Sequence, residues 1–275
     1  MQDITGKNSD GLKEKTLYLL DMDGTIYNEN EIFEGTLDFL SEIRRRGGEY
    51  IFITNNSSKS VADYVEKVRA MGIQADQENF YTSSQATAMY IKENYPGQRV
   101  YCMGTRSLVE ELRQEGIDVV TEVDDKAAVV LIGFDTENTS EKIRNTCIML
   151  GKDVAYLATN PDLVCPVSFG YIPDCGSMSI MLKNATGKEP FFIGKPEPIM
   201  VDCVLKKYKI KPVEAVIVGD RLYTDIKTGA RAGVDTICVL SGEATMEDIR
   251  QGEVKPDYIF QSVKEIYEGL TEDER

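Results

Sequence analysis

The stretch Thr16-Leu17-Tyr18-Leu19-Leu20-Asp21-Met22-Asp23-Gly24-Thr25 decides the fold. Thr16 to Asp21 reads as a buried strand, its apolar run without alternation suiting a parallel sheet. Two acids and a glycine follow at once. In an open α/β sheet, ligands bind at the carboxyl ends of strands, so Asp21 and Asp23 stand where chemistry is usually done. Residues two apart leaving a strand can present to one side, and Gly24 permits a sharp exit. An acidic turn would by itself account for Asp-x-Asp-Gly. A calcium loop is excluded, because the further oxygen ligands and the closing glutamate at the required spacing are missing.

Working outward, helical and strand patterns alternate. From Thr36, the residues Leu37, Leu40 and Ile43 fall on one helical face, and Gly47-Gly48 closes it. Glu49–Thr54 is the next strand. Ser58 or Ser60 can cap a helix striped by Val61, Val65, Val68 and Met71 and closed by Gly72. This β-α-β-α order predicts a parallel sheet with helices on its faces. The theme repeats in strand-like segments at 100–104, 127–134, 155–159, 215–218 and 236–240. Helical patterns lie at 108–113, 141–150, 177–184, 198–208 and 226–232. No internal repeat or linker-like boundary appears, so a second domain would be inserted into the first rather than appended to it.

The chain has 275 residues, enough for one large or two modest domains. Lys plus Arg is 31 and Asp plus Glu is 46, so the formal charge is −15. That balance speaks against a nucleic-acid partner, whose footprint is a basic face. There is no histidine, which excludes Ser-His-Asp and Cys-His dyads, His-ligated zinc and imidazole acid–base work. The longest near-continuous apolar run, Ala127–Phe134, is eight residues, far short of a membrane span. Six scattered cysteines without a CxxC pair, and an N-terminus without an apolar h-region, lead to the expectation of a cytoplasmic protein with reduced thiols.

Three further clusters carry chemistry. Thr54-Asn55-Asn56-Ser57 ends a strand and opens a helix, bringing hydroxyl, amide and backbone N–H groups together as a phosphate would require; helix capping would also explain Ser57. Gly194-Lys195-Pro196-Glu197-Pro198 presents a lysine on a short loop before a helix. Gly219-Asp220-Arg221-Leu222-Tyr223-Thr224-Asp225 repeats the strand-then-acid arrangement, with Thr224 or Asp225 also readable as a helix cap.

In this order, DMDGT, ITNNSS, GKPEP and GDRLYTD resemble the haloacid dehalogenase superfamily of phosphatases, and within it the NagD-like, 4-nitrophenylphosphatase-type branch. The similarity covers about Lys15 to Leu240, and ATNPD (158–162) resembles that branch too. The resemblance implies a doubly wound, Rossmann-like parallel-sheet core from residues 14–83 and 190–270. It also implies an α/β cap inserted at 84–189, with 1–13 left as a polar tail. The 141 positions from Thr54 to Lys195 leave room for such a cap.

The resemblance further implies the roles. Asp21 would be the nucleophile, forming an aspartyl-phosphate, and Asp23 the general acid and base. Thr54, Asn55, Asn56 and Lys195 would hold the phosphoryl oxygens. Mg²⁺ would be held by Asp21, the Asp23 carbonyl and Asp220, with Asp225 orienting its water. In the cap, Asn160, Asp162 and Cys165 are candidates for choosing the leaving group. Cys165 stands where pyridoxal-phosphate phosphatase relatives carry a histidine, which speaks against that specificity.

The implied activity is Mg²⁺-dependent hydrolysis of small phosphomonoesters such as nucleotide monophosphates or sugar phosphates. A homodimer is left open, since caps of this kind can mediate one. A phosphomutase or phosphotransferase would use the same aspartyl-phosphate, but about 15 positions between Asp21 and Thr36 are too few for the small helical cap of mutase relatives. A non-catalytic sensor of phosphorylated ligands would be expected to have lost a motif, and all four are intact.

Overall fold

The strand Leu17–Leu20 lies near the middle of a six-stranded sheet in the computed structural model, which describes residues 1–167 and 169–272. The order across that sheet is Tyr258–Phe260, Asp235–Val239, Ala215–Gly219, Leu17–Leu20, Glu49–Thr54, Phe80–Thr82. Leu17–Leu20 pairs in parallel with Ala215–Gly219 on one side and Glu49–Thr54 on the other. All four of its residues are buried, as expected for a strand covered on both faces. The chain winds one way from this strand through Glu49–Thr54 and the other way through Ala215–Gly219. The switch point of a doubly wound sheet therefore falls between the strands that lead into Asp21 and Asp220.

The described chain divides into two units. The first comprises Met1–Thr54, Ala62–Tyr81 and the chain from Lys195 onward; the second comprises Asn55–Val61 and Thr82–Gly194. The second unit has its own five-stranded sheet, ordered Phe191–Phe192, Ala155–Ala158, Ala127–Ile132, Arg99–Met103, Val119–Val120, with every pairing parallel. A separate antiparallel hairpin joins Val164–Val167 to Gly170–Pro173. Its helices start where short polar side chains satisfy orphan N–H groups: Thr82, Thr105, Thr139 and Asp174 each accept from the first turn that follows.

Three local expectations change. Leu37 is 40% exposed, and Phe39 takes the inward position of the Thr36–Arg45 helix, set edge-on against Tyr18 at 5.7 Å. Residues 1–13, expected as a polar tail, fold along the sheet edge. Ile4 N–H donates to Ile259 O at 3.0 Å and Ile259 N–H to Asp3 Oδ2 at 3.1 Å, while Leu12 is fully buried. This covers backbone that an edge strand would otherwise expose. Asp225 is not a helix cap; it lies within a π-helical turn, Leu222–Ile226, and its carboxylate points inward. All six cysteines are free, and among the described residues no helix is long and apolar enough to cross a membrane.

Candidate active site

Asp21 is the first residue past its strand, and its N–H still donates to Val218 O at 2.9 Å, which fixes where the side chain leaves the sheet. Its Oδ1 lies 2.5 Å from Lys195 Nζ. The same ammonium reaches Asp225 Oδ1 at 2.6 Å and donates to Ile53 O at 3.3 Å. Lys195 is 3% exposed and Asp225 fully buried, so a strand-end carboxylate and one from a π-helical turn share one enclosed cation. Asp225 Oδ2 in turn accepts from Arg221 N–H at 3.2 Å and from the Thr224 hydroxyl at 3.4 Å.

Asp220 enters the same cluster from the next strand. Carboxylate oxygens of Asp21, Asp220 and Asp225 all lie within 4.8 Å of one another. The space for Asp220 is made by glycines. A Cβ on Gly24, whose φ is +85°, would stand 2.4 Å from Asp220 Oδ2, and one on Gly242 would stand 2.0 Å from it. Gly24 is thus required both by its left-handed backbone and by its neighbour. Glu243 N–H donates to Asp220 Oδ2 at 2.8 Å, and the Ser241 hydroxyl to Gly24 O at 2.7 Å, so the 241–243 turn closes one side of the site.

The electrostatics of this cluster are unbalanced. With all groups ionised, Asp21, Asp220, Asp225 and Glu243 stand against Lys195 and Arg221, which leaves two negative charges. Burial, with Asp225 and Asp220 adding to it and Lys195 opposing, raises the Asp21 carboxyl to about 8. Burial and Asp225 raise Asp220 to about 6 against the Glu243 hydrogen bond. Burial pulls the Lys195 ammonium down, but the two carboxylates outweigh it and hold it above its ordinary value. Asp220 Oδ1 is buried and has no hydrogen-bond partner among the described residues. A buried anionic oxygen without a donor is costly. An all-oxygen donor set with surplus negative charge and one orphaned oxygen fits a hard divalent cation.

Asp23 lies two residues beyond Asp21 with its side chain 54% exposed, and Lys67 Nζ approaches its Oδ1 at 3.8 Å. That ammonium also sits 4.0 Å over the Tyr27 ring. Thr54 is buried at the end of its strand. The first unit therefore brings Asp21, Lys195, Asp220 and Asp225 together, with Asp23 and Thr54 at the ends of the two adjoining strands.

Asn55, Asn56, Asn160, Asp162 and Cys165 belong to the second unit. Asn55 Nδ2 donates to both Asp162 oxygens, at 3.1 and 3.2 Å. Asn56 Oδ1 accepts from Ser58 N–H at 2.9 Å and from its hydroxyl at 2.7 Å. Asn160 is fully buried. Cys165, on the first hairpin strand, packs against the core of this unit.

Sequence reasoning left three participants unassigned. Arg221, held up by Asp21 and Asp220 against the effect of burial, bridges to Glu243 at 3.0 Å; its place inside the fourth motif was the available signal. Lys67 and Gly242 carry none, since only folding brings them to Asp23 and Asp220.

A family model described as haloacid dehalogenase-like hydrolase matches residues 18–118, and a second, described as HAD-hydrolase-like, matches residues 192–266. The chain is 35% identical over 259 residues to an acid sugar phosphatase of Staphylococcus aureus, covering 94% of this chain and 99% of that protein. Among solved structures, a 4-nitrophenylphosphatase of Thermotoga maritima aligns with a TM-score of 0.90 at 36% identity, over 94% of this chain and 99% of the other. A glycerol phosphate phosphatase of Mycobacterium tuberculosis, in complex with magnesium, aligns with a TM-score of 0.87 at 28% identity, over 92% of this chain and 77% of the other.

Proposed function

Since the chain belongs to the haloacid dehalogenase-like hydrolases and is a phosphatase, we propose that it hydrolyses small phosphomonoesters through an aspartyl-phosphate on Asp21, with Mg²⁺ bound by the acidic cluster. The observation that supports this most is the enclosed group of Asp21, Asp220 and Asp225 around Lys195, with its surplus negative charge and the orphaned Asp220 oxygen. Asp21, Asp220 and the Asp23 carbonyl would hold the ion, and Asp225 would orient its water. Once bound, the ion offsets the repulsion between a carboxylate and an incoming phosphate dianion.

The residues then divide the work. An Asp21 oxygen forms a bond to phosphorus as the bond to the leaving oxygen breaks. Asp23 gives its proton to that oxygen, then takes one from the water that attacks phosphorus and releases Asp21. Thr54, Lys195 and the loop from Asn55 to Asn56 hold the phosphoryl oxygens, since positioning and charge compensation dominate this chemistry. Lys195 also keeps Asp21 aligned through a 2.5 Å contact.

The second unit, Asn55–Val61 with Thr82–Gly194, serves as the cap that selects the leaving group. Sugar phosphates and related polyol phosphates are the substrate class favoured by the named relatives. The test is release of phosphate from 4-nitrophenyl phosphate and from a sugar phosphate. Turnover should require added Mg²⁺ and vanish in Asp21→Asn; turnover that survives either change rules the mechanism out.

A further inference from the structure

The family resemblance makes Asn160 and Asp162 candidates for choosing the leaving group. Their contacts point elsewhere. Asn160 is fully buried, so no part of it is available to a substrate. Its Nδ2 donates to Asn55 O at 2.7 Å, while its Oδ1 accepts from Asp162 N–H at 3.0 Å. One carboxamide thus ties the Asn55 backbone to the turn that carries Asp162. Both Asp162 oxygens are in turn engaged by Asn55 Nδ2.

The other end of the Asn55 side chain is boxed in as well. A Cβ on Gly194 would lie 2.5 Å from Asn55 Oδ1, so only glycine leaves room for this carboxamide. The Ser83 hydroxyl donates to Asn55 O at 2.6 Å, and the Ser57 hydroxyl meets Thr159 Oγ1 at 2.9 Å. From Asn55 to Ser57 the loop is fastened within the second unit by a buried polar network. Such networks fix one geometry when every member is satisfied.

We propose that Asp162 and Asn160 are positioning residues for the phosphate-holding loop, acting through Asn55, and that neither contacts the leaving group. This rests on the reading above that the Asn55 loop holds the phosphoryl group. Asp162 fixes the direction of the Asn55 side chain through a charge-assisted pair of hydrogen bonds, and Asn160 fixes its carbonyl. The ATNPD segment is therefore part of the phosphate apparatus, held apart from it in sequence by about a hundred positions.

The experiment is a double-mutant cycle on Asp162→Ala and Asn55→Ala, with kcat, KM and inhibition by inorganic phosphate measured for each variant. Each single substitution should lower kcat/KM roughly ten- to a hundredfold, the scale of a charge-assisted hydrogen bond. Phosphate inhibition should weaken alongside, and the loss should be the same for 4-nitrophenyl phosphate and a sugar phosphate. The double variant should be no worse than the worse single one, because one interaction is removed twice. Asp162→Asn, which keeps an acceptor oxygen for Asn55, should restore most of the loss, and it carries the same cycle if Asp162→Ala fails to fold.

Losses that multiply, or that differ between the two leaving groups, would overturn the proposal and return Asp162 to the leaving-group side. If Asn55→Ala impairs phosphate inhibition but the Asp162 variants do not, the proposal fails while the phosphate reading of the loop stands. If Asn55→Ala changes nothing, the phosphate reading itself fails, and this inference with it.

Discussion

Both units carry a parallel sheet, and in both the strands end in a rim of loops, yet the two rims are built from opposite materials. In the first unit, the rim after Leu20 and Gly219 gathers three carboxylates around one buried lysine and leaves an Asp220 oxygen without a donor. In the second unit, the rim after Met103 and Ile132 contains one buried acid, Asp135, matched by one cation. Lys142 Nζ donates to Asp135 Oδ2 and to Gly104 O, both at 2.9 Å, and Asp135 Oδ1 accepts from Glu137 N–H at 2.9 Å. Topology alone marks strand ends in either sheet as ligand sites. Charge balance separates them: a closed pair holds loops together, whereas an unbalanced cluster requires something more to bind.

Substituting one acid in each rim is the strongest way to break this contrast. Asp21→Asn should lower kcat by about 10⁴-fold or more, the scale of losing a covalent nucleophile, whereas Asp135→Asn should leave kcat/KM within about twofold. Next in size, Lys195→Met should lower kcat/KM roughly 10²- to 10³-fold. It should also cost about 3–5 kcal/mol of stability by stranding two buried carboxylates. Urea unfolding should show part of that cost recovered on adding Mg²⁺, and equal losses with and without the ion would mean that the cluster does not bind it. Asp135→Asn should cost only about 1–3 kcal/mol, the price of one unsatisfied buried polar group, read from the same urea curves.

The smallest effect sharpens the comparison from within the second unit. Glu111, on the Arg106–Gln114 helix, is raised by burial from its ordinary 4.5 to about 7, against the Ser84 hydroxyl and with help from Glu115. Between those values the folded chain keeps a proton that the unfolded chain has released, so stability falls as pH rises through this window. Glu111→Gln should flatten that slope and gain about 1–3 kcal/mol at pH 8, with kcat unchanged. A surplus buried charge without partners for chemistry then registers in stability alone. A gain equally large at pH 4 would contradict it.

Much of the first rim was legible because Asp21 and Asp220 each follow an unbroken apolar strand. Leu17–Leu20 and Ala215–Gly219 announce themselves by composition, and the acids come next in the chain. The second rim was harder to read. The Ser83–Asn94 helix buries Ser83, Ser84, Ala86, Thr87 and Ala88, small residues that give no hydrophobic stripe. The hairpin Val164–Val167 to Gly170–Pro173 contains two prolines, which weigh against a strand. Gly242 and Glu243 close over Asp220 from more than twenty positions away, and Asp162 reaches Asn55 across 107. Such contacts depend on how sheets and loops return, which local pattern does not encode.

The stereochemical course at phosphorus tests the central claim most directly. With a phosphorothioate monoester made chiral at phosphorus by sulfur and two oxygen isotopes, and hydrolysed in water carrying the third isotope, transfer to Asp21 followed by transfer to water inverts the centre twice. Net retention is expected in the chiral thiophosphate released. Net inversion would mean a single direct attack by water, and would remove Asp21 from its role as nucleophile.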